Sequence, residues 1–133
     1  MVLTVCDTSI LCRNQQTQKE FRNKIKLWLK IHYLNVTCLN EETGYLCFIS
    51  NTFIDKATSK FGDVKAHALA NLPSIIRNAI FTNSETDNKG RPDILRYLKF
   101  ESLIDVDGAE YVVWLYVRQT INEYQLYSLH IKI

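Results

Sequence analysis

The sequence predicts an α+β fold in which N-terminal helices pack on a C-terminal antiparallel β-sheet. Helical periodicity over residues 17–33, an Asp107-Gly108 turn signal and strict two-residue alternation over 94–133 support this fold class. The chain has 133 residues, 47% of them hydrophobic and 23% charged, which suits one domain with its own core. No linker or shift in composition divides it, so we predict a single domain over 1–133.

The first predicted helix spans residues 17–33. Thr17 and Glu20 have the spacing of a capping box. The predicted apolar face contains Phe21, Ile25, Trp28 and His32, widened by Leu27, Leu29, Ile31 and Leu34. The opposite side carries Lys19, Arg22, Lys26 and Lys30. We interpret this basic stripe as a solvated face, and the alternative is a surface that contacts phosphates.

A hairpin is predicted over residues 36–50, with its turn at 42–44. It places Cys38 opposite Cys47; reduced thiols are favoured there and a disulfide is the alternative. The four cysteines, which include Cys6 and Cys12, lack metal-binding spacing, so no zinc site is expected. A short polar segment, helices over 63–70 and 73–78, and a polar loop over 83–92 complete this region.

The Asp107-Gly108 turn fixes the pairing of the long C-terminal strands, because it places Val106 opposite Ala109. This register collects an apolar set on one face: Leu98, Phe100, Ile104, Val106, Tyr111, Val113, Leu115 and Val117. A shift of one residue would turn one strand's apolar set outward. On the other face the register pairs Tyr97 with Arg118, Lys99 with Tyr116, and Glu101 with Trp114.

The alternation of apolar and polar residues determines which face each residue of the last strand occupies. Leu129, Ile131 and Ile133 reach the apolar face only if His130 shares the polar face with Trp114 and Tyr116. We therefore expect His130 beside one of these two aromatics and Glu101 on the far side of their strand. Connections of three or five residues both satisfy this condition.

The polar face has the residue types that metal-independent RNA cleavage requires. Glu101 and His130 can act as acid and base, while Arg118 and Lys99 offset phosphate charge. The remaining expected substrate-binding residues are Tyr97, Trp114, Tyr116, Ser128 and Lys132, the aromatics by stacking on bases. Ordinary cross-strand stabilisation is the alternative explanation of this face. His67, on a predicted helix near Lys65, is a rival to His130.

Several function classes are not supported by the sequence. No apolar run approaches the length of a membrane span, and no signal peptide is recognisable. The chain has four glycines and no phosphate-binding glycine loop. No cofactor or metal is expected. The net charge of +2 is too small to indicate an anionic partner by itself.

Short blocks at 43–50, 54–60, 63–79, 100–102, 107–111 and 126–129 resemble barnase-like domains of phage polyvalent proteins and of bacterial toxins. Those domains belong to the barnase/EndoU/colicin/RelE-like nuclease superfamily. The resemblance covers residues 36–133 and leaves 1–35 as an N-terminal helical segment. It implies a barnase-like fold and adds Lys56, Thr58 and His67, which lie in matching blocks, as candidate catalytic residues.

The resemblance implies an antibacterial ribonuclease toxin that cleaves structured RNA, often tRNA, by attack of the 2′-hydroxyl. Such domains act in contact-dependent growth inhibition. They are delivered from a larger secreted protein into the target-cell cytoplasm and are held inactive by an immunity protein. Two alternatives stay open: a non-catalytic RNA-binding module, and an interaction protein such as an inhibitor. The enzymatic hypothesis requires the polar sheet face to be an open cleft.

Overall fold

The computed structural model of the protein describes residues 1–11, 15–59, 62–87 and 89–132. Within these ranges there are four helices and seven strands in one curled sheet. In chain order they are β1 Leu3–Val5, α1 Gln18–Tyr33, β2 Thr37–Leu39, β3 Leu46–Phe48, α2 Asn51–Ala57, α3 Asp63–Ala70, α4 Leu72–Asn78, β4 Ile80–Glu85, β5 Ile94–Val106, β6 Ala109–Thr120 and β7 Tyr124–Lys132. Cys12, Ile133, the last residue of the 54–60 block and residue 88 of the 83–92 loop lie outside the described residues.

The sheet has the strand order β1-β5-β6-β7-β3-β2, and β4 also pairs with β5. The three long strands β5, β6 and β7 are antiparallel, as predicted. β1 pairs with β5 and β3 pairs with β7 in parallel. The sheet as a whole is therefore mixed, although the predicted C-terminal strands are antiparallel to one another. These parallel partners are three-residue strands from distant parts of the chain, too short to show a period.

The predicted register of the β5–β6 hairpin is confirmed. Val106 pairs with Ala109, and the polar-face pairs are Tyr97–Arg118, Lys99–Tyr116 and Glu101–Trp114. Asp107 and Gly108 have φ angles of 52° and 88°. Positive φ at both turn residues matches the twist of the two strands, which explains why Asp-Gly specifies this hairpin.

One hydrophobic core joins the helices to the apolar face of the sheet. Helix α1 contributes Phe21, Ile25 and Leu29, and Phe100 is among the buried residues of β5. The helices α3 at Asp63–Ala70 and α4 at Leu72–Asn78 agree with the prediction, and Pro73 lies in the first turn of α4. Because the helices pack on this face, the long strands can expose their polar face.

Helix α1 has the predicted bounds, and Thr17 Oγ1 accepts a hydrogen bond from the Glu20 amide at 3.2 Å. Its apolar face is narrower than predicted. Leu27 and Ile31 are 62% and 69% exposed, so their assignment to the buried face is wrong. Among the described residues, no helix combines the length and hydrophobicity needed to cross a membrane.

Helix α2 occupies the short polar segment, over which no helix was predicted. Ser50 caps it by accepting a hydrogen bond from the Phe53 amide at 3.1 Å. The basic stripe of α1 contacts this helix: Lys26 and Lys30 lie 3.0 and 3.2 Å from Asp55. Arg22, from the same stripe, donates to a carbonyl just beyond α2 at 2.8 Å. Much of the stripe therefore joins two helices, which leaves little of it for phosphate contacts.

The predicted hairpin before α2 forms from β2 and β3, with Cys38 paired with Cys47. Both are buried free thiols, as is Cys6. Burial raises the pKa of Cys47 to about 12, which suppresses the reactive thiolate. The favoured expectation of reduced cysteines is thus met at this pair.

Candidate functional site

The polar face of the sheet is open along a cleft of about 860 Å³. Strands β5, β6 and β7 provide Tyr97, Trp114, Tyr116 and His130. Lys56 of α2 and the segment after β4 complete the walls. Helix packing on the opposite face leaves this surface accessible, so the geometric condition set by the sequence argument is met.

His130 pairs with Trp114 across β6 and β7, which confirms the predicted adjacency. Its ring lies 5.9 Å from that of Tyr116 in an edge-to-face arrangement. The side chain is exposed on one side and screened by protein on the other. This partial desolvation lowers the pKa of His130, and the cations Lys65 and Lys56 lower it further. The neutral imidazole, which can accept a proton, is therefore favoured at neutral pH.

Tyr127 enters the cleft through an irregularity of β7 that the sequence did not reveal. Tyr116 pairs with Ser128 but Val117 pairs with Leu126, so a β-bulge inserts one extra residue. Lys56 Nζ lies over the Tyr127 ring, 3.6 Å from its centroid, in a cation–π contact. The bulge thus places an aromatic ring where it holds a lysine at the wall of the cleft.

The segment after β4 contributes an ion pair. Arg91 binds Asp87 through two nitrogens, each at 3.1 Å, and also donates to the Tyr97 hydroxyl. The hydrogen bonds from Arg91 lower the pKa of Asp87 to about 2. This pair fixes Tyr97, whose ring packs edge-on against Tyr127 at 5.2 Å.

Glu101 and Trp114 form a unit at the edge of the cleft. Trp114 Nε1 donates to Glu101 Oε1 at 3.1 Å, and Glu101 is not among the residues that line the cleft. Lys99 and Lys132 lie over the Trp114 ring at 4.1 and 5.5 Å. Trp114 therefore separates Glu101 from His130 and gathers cations around it.

The remaining predicted residues are dispersed. Arg118 donates to Gln125 Oε1 at 2.8 Å on the polar face. Ser128 lines the cleft but is nearly buried. Thr58 is buried and its hydroxyl donates to the Ile54 carbonyl at 2.7 Å, which closes the end of α2. His67 lies on α3 outside the cleft lining, with a buried Nδ1 that has no partner among the described residues.

The structure therefore brings seven residues of the predicted set together in the cleft: Lys56, Tyr97, Trp114, Tyr116, Ser128, His130 and Lys132. Asp87, Lys89, Arg91 and Tyr127 are among the lining residues that sequence reasoning missed. The first three belong to a segment read as a plain polar loop. An Asp followed four residues later by an Arg was the available signal for their ion pair.

The pKa of His130 provides a prediction that does not depend on catalysis. Replacing Lys56 with Gln removes a cation that disfavours the imidazolium, so the pKa of His130 should rise toward its usual value of about 6.5. The measurement is an NMR titration of the ring protons, assigned by the His130→Asn variant. Lys19→Gln, on the far helix α1, is the matched control and should leave the titration unchanged. An unaltered His130 titration in Lys56→Gln would refute the electrostatic argument.

Within the described parts of the chain, no cluster of three or more His, Cys, Asp or Glu side chains is arranged to hold a metal ion. The arrangement around His130 consists of a titratable imidazole, aromatic rings and lysines. It can contact a phosphate, stack against bases and accept a proton.

Comparison with known proteins places the chain in a family. Residues 16–127 match the family described as large polyvalent protein-associated domain 3. No curated protein and no solved structure matches the chain. The match includes the four helices and strands β2 to β6, and it ends at Tyr127, before the part of β7 that contains His130. The chain therefore belongs to the large polyvalent protein-associated domain 3 family.

Proposed function

We propose that this domain is a metal-independent endoribonuclease whose substrate lies in the cleft beside His130. The observation that carries the proposal is a histidine with a lowered pKa that lines an open cleft together with aromatics and lysines. Lys56 and Lys132 form no ion pair with the described carboxylates, so their charge remains available to a phosphate. The helices on one face of an antiparallel hairpin are compatible with the barnase-like arrangement that the sequence resemblance implies.

In the proposed reaction, neutral His130 takes the proton from a ribose 2′-hydroxyl. The 2′-oxygen then forms a bond to phosphorus while the bond to the 5′-oxygen breaks, giving a 2′,3′-cyclic phosphate. Lys56 and Lys132 offset the charge that develops on the phosphate oxygens. The leaving 5′-oxygen takes up a proton from solvent water and becomes a hydroxyl, and His130 releases its proton to solvent.

The geometry assigns Glu101 a different part from the acid or base expected from the sequence. Its carboxylate accepts the Trp114 N–H, and Trp114 is the residue paired with His130. Glu101 therefore holds Trp114 in place, and we propose that it positions the aromatic and its lysines. We further propose that the substrate is a structured RNA such as tRNA, and that the domain has an antibacterial role and an immunity protein as partner.

The test is incubation of the purified domain with total tRNA in the presence of EDTA, followed by gel analysis. Discrete fragments that His130→Asn does not produce support the proposal. Intact RNA in EDTA, from a domain shown to bind it, contradicts the proposal. Inducible expression in bacteria, with and without His130→Asn, then measures toxicity separately.

A non-catalytic RNA-binding module is the second candidate. One observation favours it: Glu101, the carboxylate expected to act together with His130, is instead bound to Trp114. This candidate predicts RNA binding that falls with rising salt and no cleavage under any divalent-ion condition.

A further inference from the structure

A second cavity lies next to the cleft, across the end of β7. Its volume is about 480 Å³, and Val64, Lys65 and Tyr111 form its far wall. His130, Ile131 and Lys132 line both spaces. The C-terminal end of β7 is therefore a ridge between two cavities, with His130 on the ridge.

The second cavity combines an apolar wall with positive charge. Tyr111 and Val64 are partly buried against the core and present apolar surface. Lys65 is half-buried and Lys132 is exposed, and neither forms an ion pair within the described ranges. Asp63 is the one carboxylate in the lining of this cavity. Two lysines against one carboxylate leave a net positive charge that attracts an anion.

This composition suits a nucleotide, because lysines attract the phosphate and an aromatic ring supports the base. A free anion would need only the lysines, and an apolar ligand would gain nothing from them. Because the two cavities are continuous across His130, they define a path for an extended strand. A strand whose phosphate contacts His130 has room for nucleotides on both sides of the ridge.

We propose that the second cavity is a subsite for the nucleotide on the far side of the phosphate that contacts His130. The substrate then crosses the ridge, and Lys65 is a binding residue of this subsite alone, because it does not line the main cleft. The inference rests on the proposed function, since it takes RNA as the occupant of the cleft.

The test measures the affinity of 2′-O-methyl RNA oligonucleotides of increasing length, which cannot be cleaved by 2′-hydroxyl attack. For the unmodified protein, affinity should rise by about tenfold at the length that crosses the ridge. Lys65→Gln should lose this step and keep the affinity for the shortest oligonucleotides. Lys19→Gln, which changes an exposed lysine of α1, should keep the step.

Lys65→Met is a second variant, because its stem preserves the packing of a half-buried lysine, and thermal melting of each variant confirms folding. If folded Lys65 variants keep the step, or if the unmodified protein shows no step, the subsite is refuted and the cleft proposal stands. If the unmodified protein binds no oligonucleotide and cleaves no RNA, the proposed function itself is refuted.

Discussion

Replacing His130 with Asn should reduce the rate of RNA cleavage by about 10²–10⁴-fold, the range that a positioned general base contributes. Asn preserves a polar side chain of similar size at an exposed position, so the fold and the cleft should persist. RNA affinity should change little, because the lysines and aromatics of the cleft are untouched. Single-turnover cleavage and equilibrium binding of a 2′-O-methyl RNA measure the two effects separately.

His32→Asn is the matched control for this prediction. His32 is an exposed histidine of α1 whose ring packs on Trp28 at 4.3 Å, away from the cleft. Its variant should cleave at the unmodified rate. Equal rates of RNA cleavage for His130→Asn and His32→Asn would show that His130 takes no part in the reaction and would favour the non-catalytic RNA-binding module.

Replacing Asn40 with Leu should lower the free energy of unfolding by about 3 kcal/mol, because several buried polar groups lose their hydrogen-bond partners. Asn40 is 1% exposed, and its Nδ2 donates to the carbonyls of Ile76 and Ala79, each at 2.8 Å. Its Oδ1 accepts from the Thr43 amide and hydroxyl at 3.0 and 2.7 Å. One amide thus joins the β2–β3 hairpin to the end of α4.

Denaturant unfolding monitored by fluorescence measures this effect. Asn23→Ala is the control, because Asn23 is exposed on α1 and should change the free energy of unfolding by less than about 0.5 kcal/mol. A loss at Asn40 no larger than that at Asn23 would show that the hairpin does not depend on this amide.

The local parts of the fold were predictable because their signals are local. Asp107-Gly108 and two alternating strands specify one register, and each pair predicted for β5 and β6 is present. Thr17 begins α1 as its capping box indicates. Helix α2 also had a local signal in Ser50, which caps it, but its polar composition hid the buried Phe53.

The other features depend on contacts that no sequence period records. Strands β1 and β3 have three residues each, and their parallel pairing is decided by distant partners. The bulge at Tyr127 changes the parity of β7 in the middle of the strand. Gln119 pairs with Tyr124, so four residues, 120–123, separate these paired positions, and this even number alone would put His130 on the wrong face. The extra residue of the bulge restores the alternation and places His130 beside Trp114.

The site residues also divide into those that strand periodicity predicts and those that depend on irregular structure. His130 was found because a regular strand fixes the face on which it lies. Tyr127 and Arg91 were missed because a bulge and an irregular segment position them. Glu101 was placed on the correct face, yet its bond to Trp114 depends on side-chain conformations that strand periodicity does not specify.

The central claim is that the cleft cleaves RNA through the 2′-hydroxyl without a metal ion. The most direct measurement compares an RNA oligonucleotide with the same strand carrying one 2′-deoxy sugar at the mapped cleavage position, both in EDTA. We expect a 2′,3′-cyclic phosphate and a 5′-hydroxyl from the RNA, and no cleavage at the deoxy position. Cleavage of the deoxy strand at the same rate, or no cleavage of bound RNA, would contradict it.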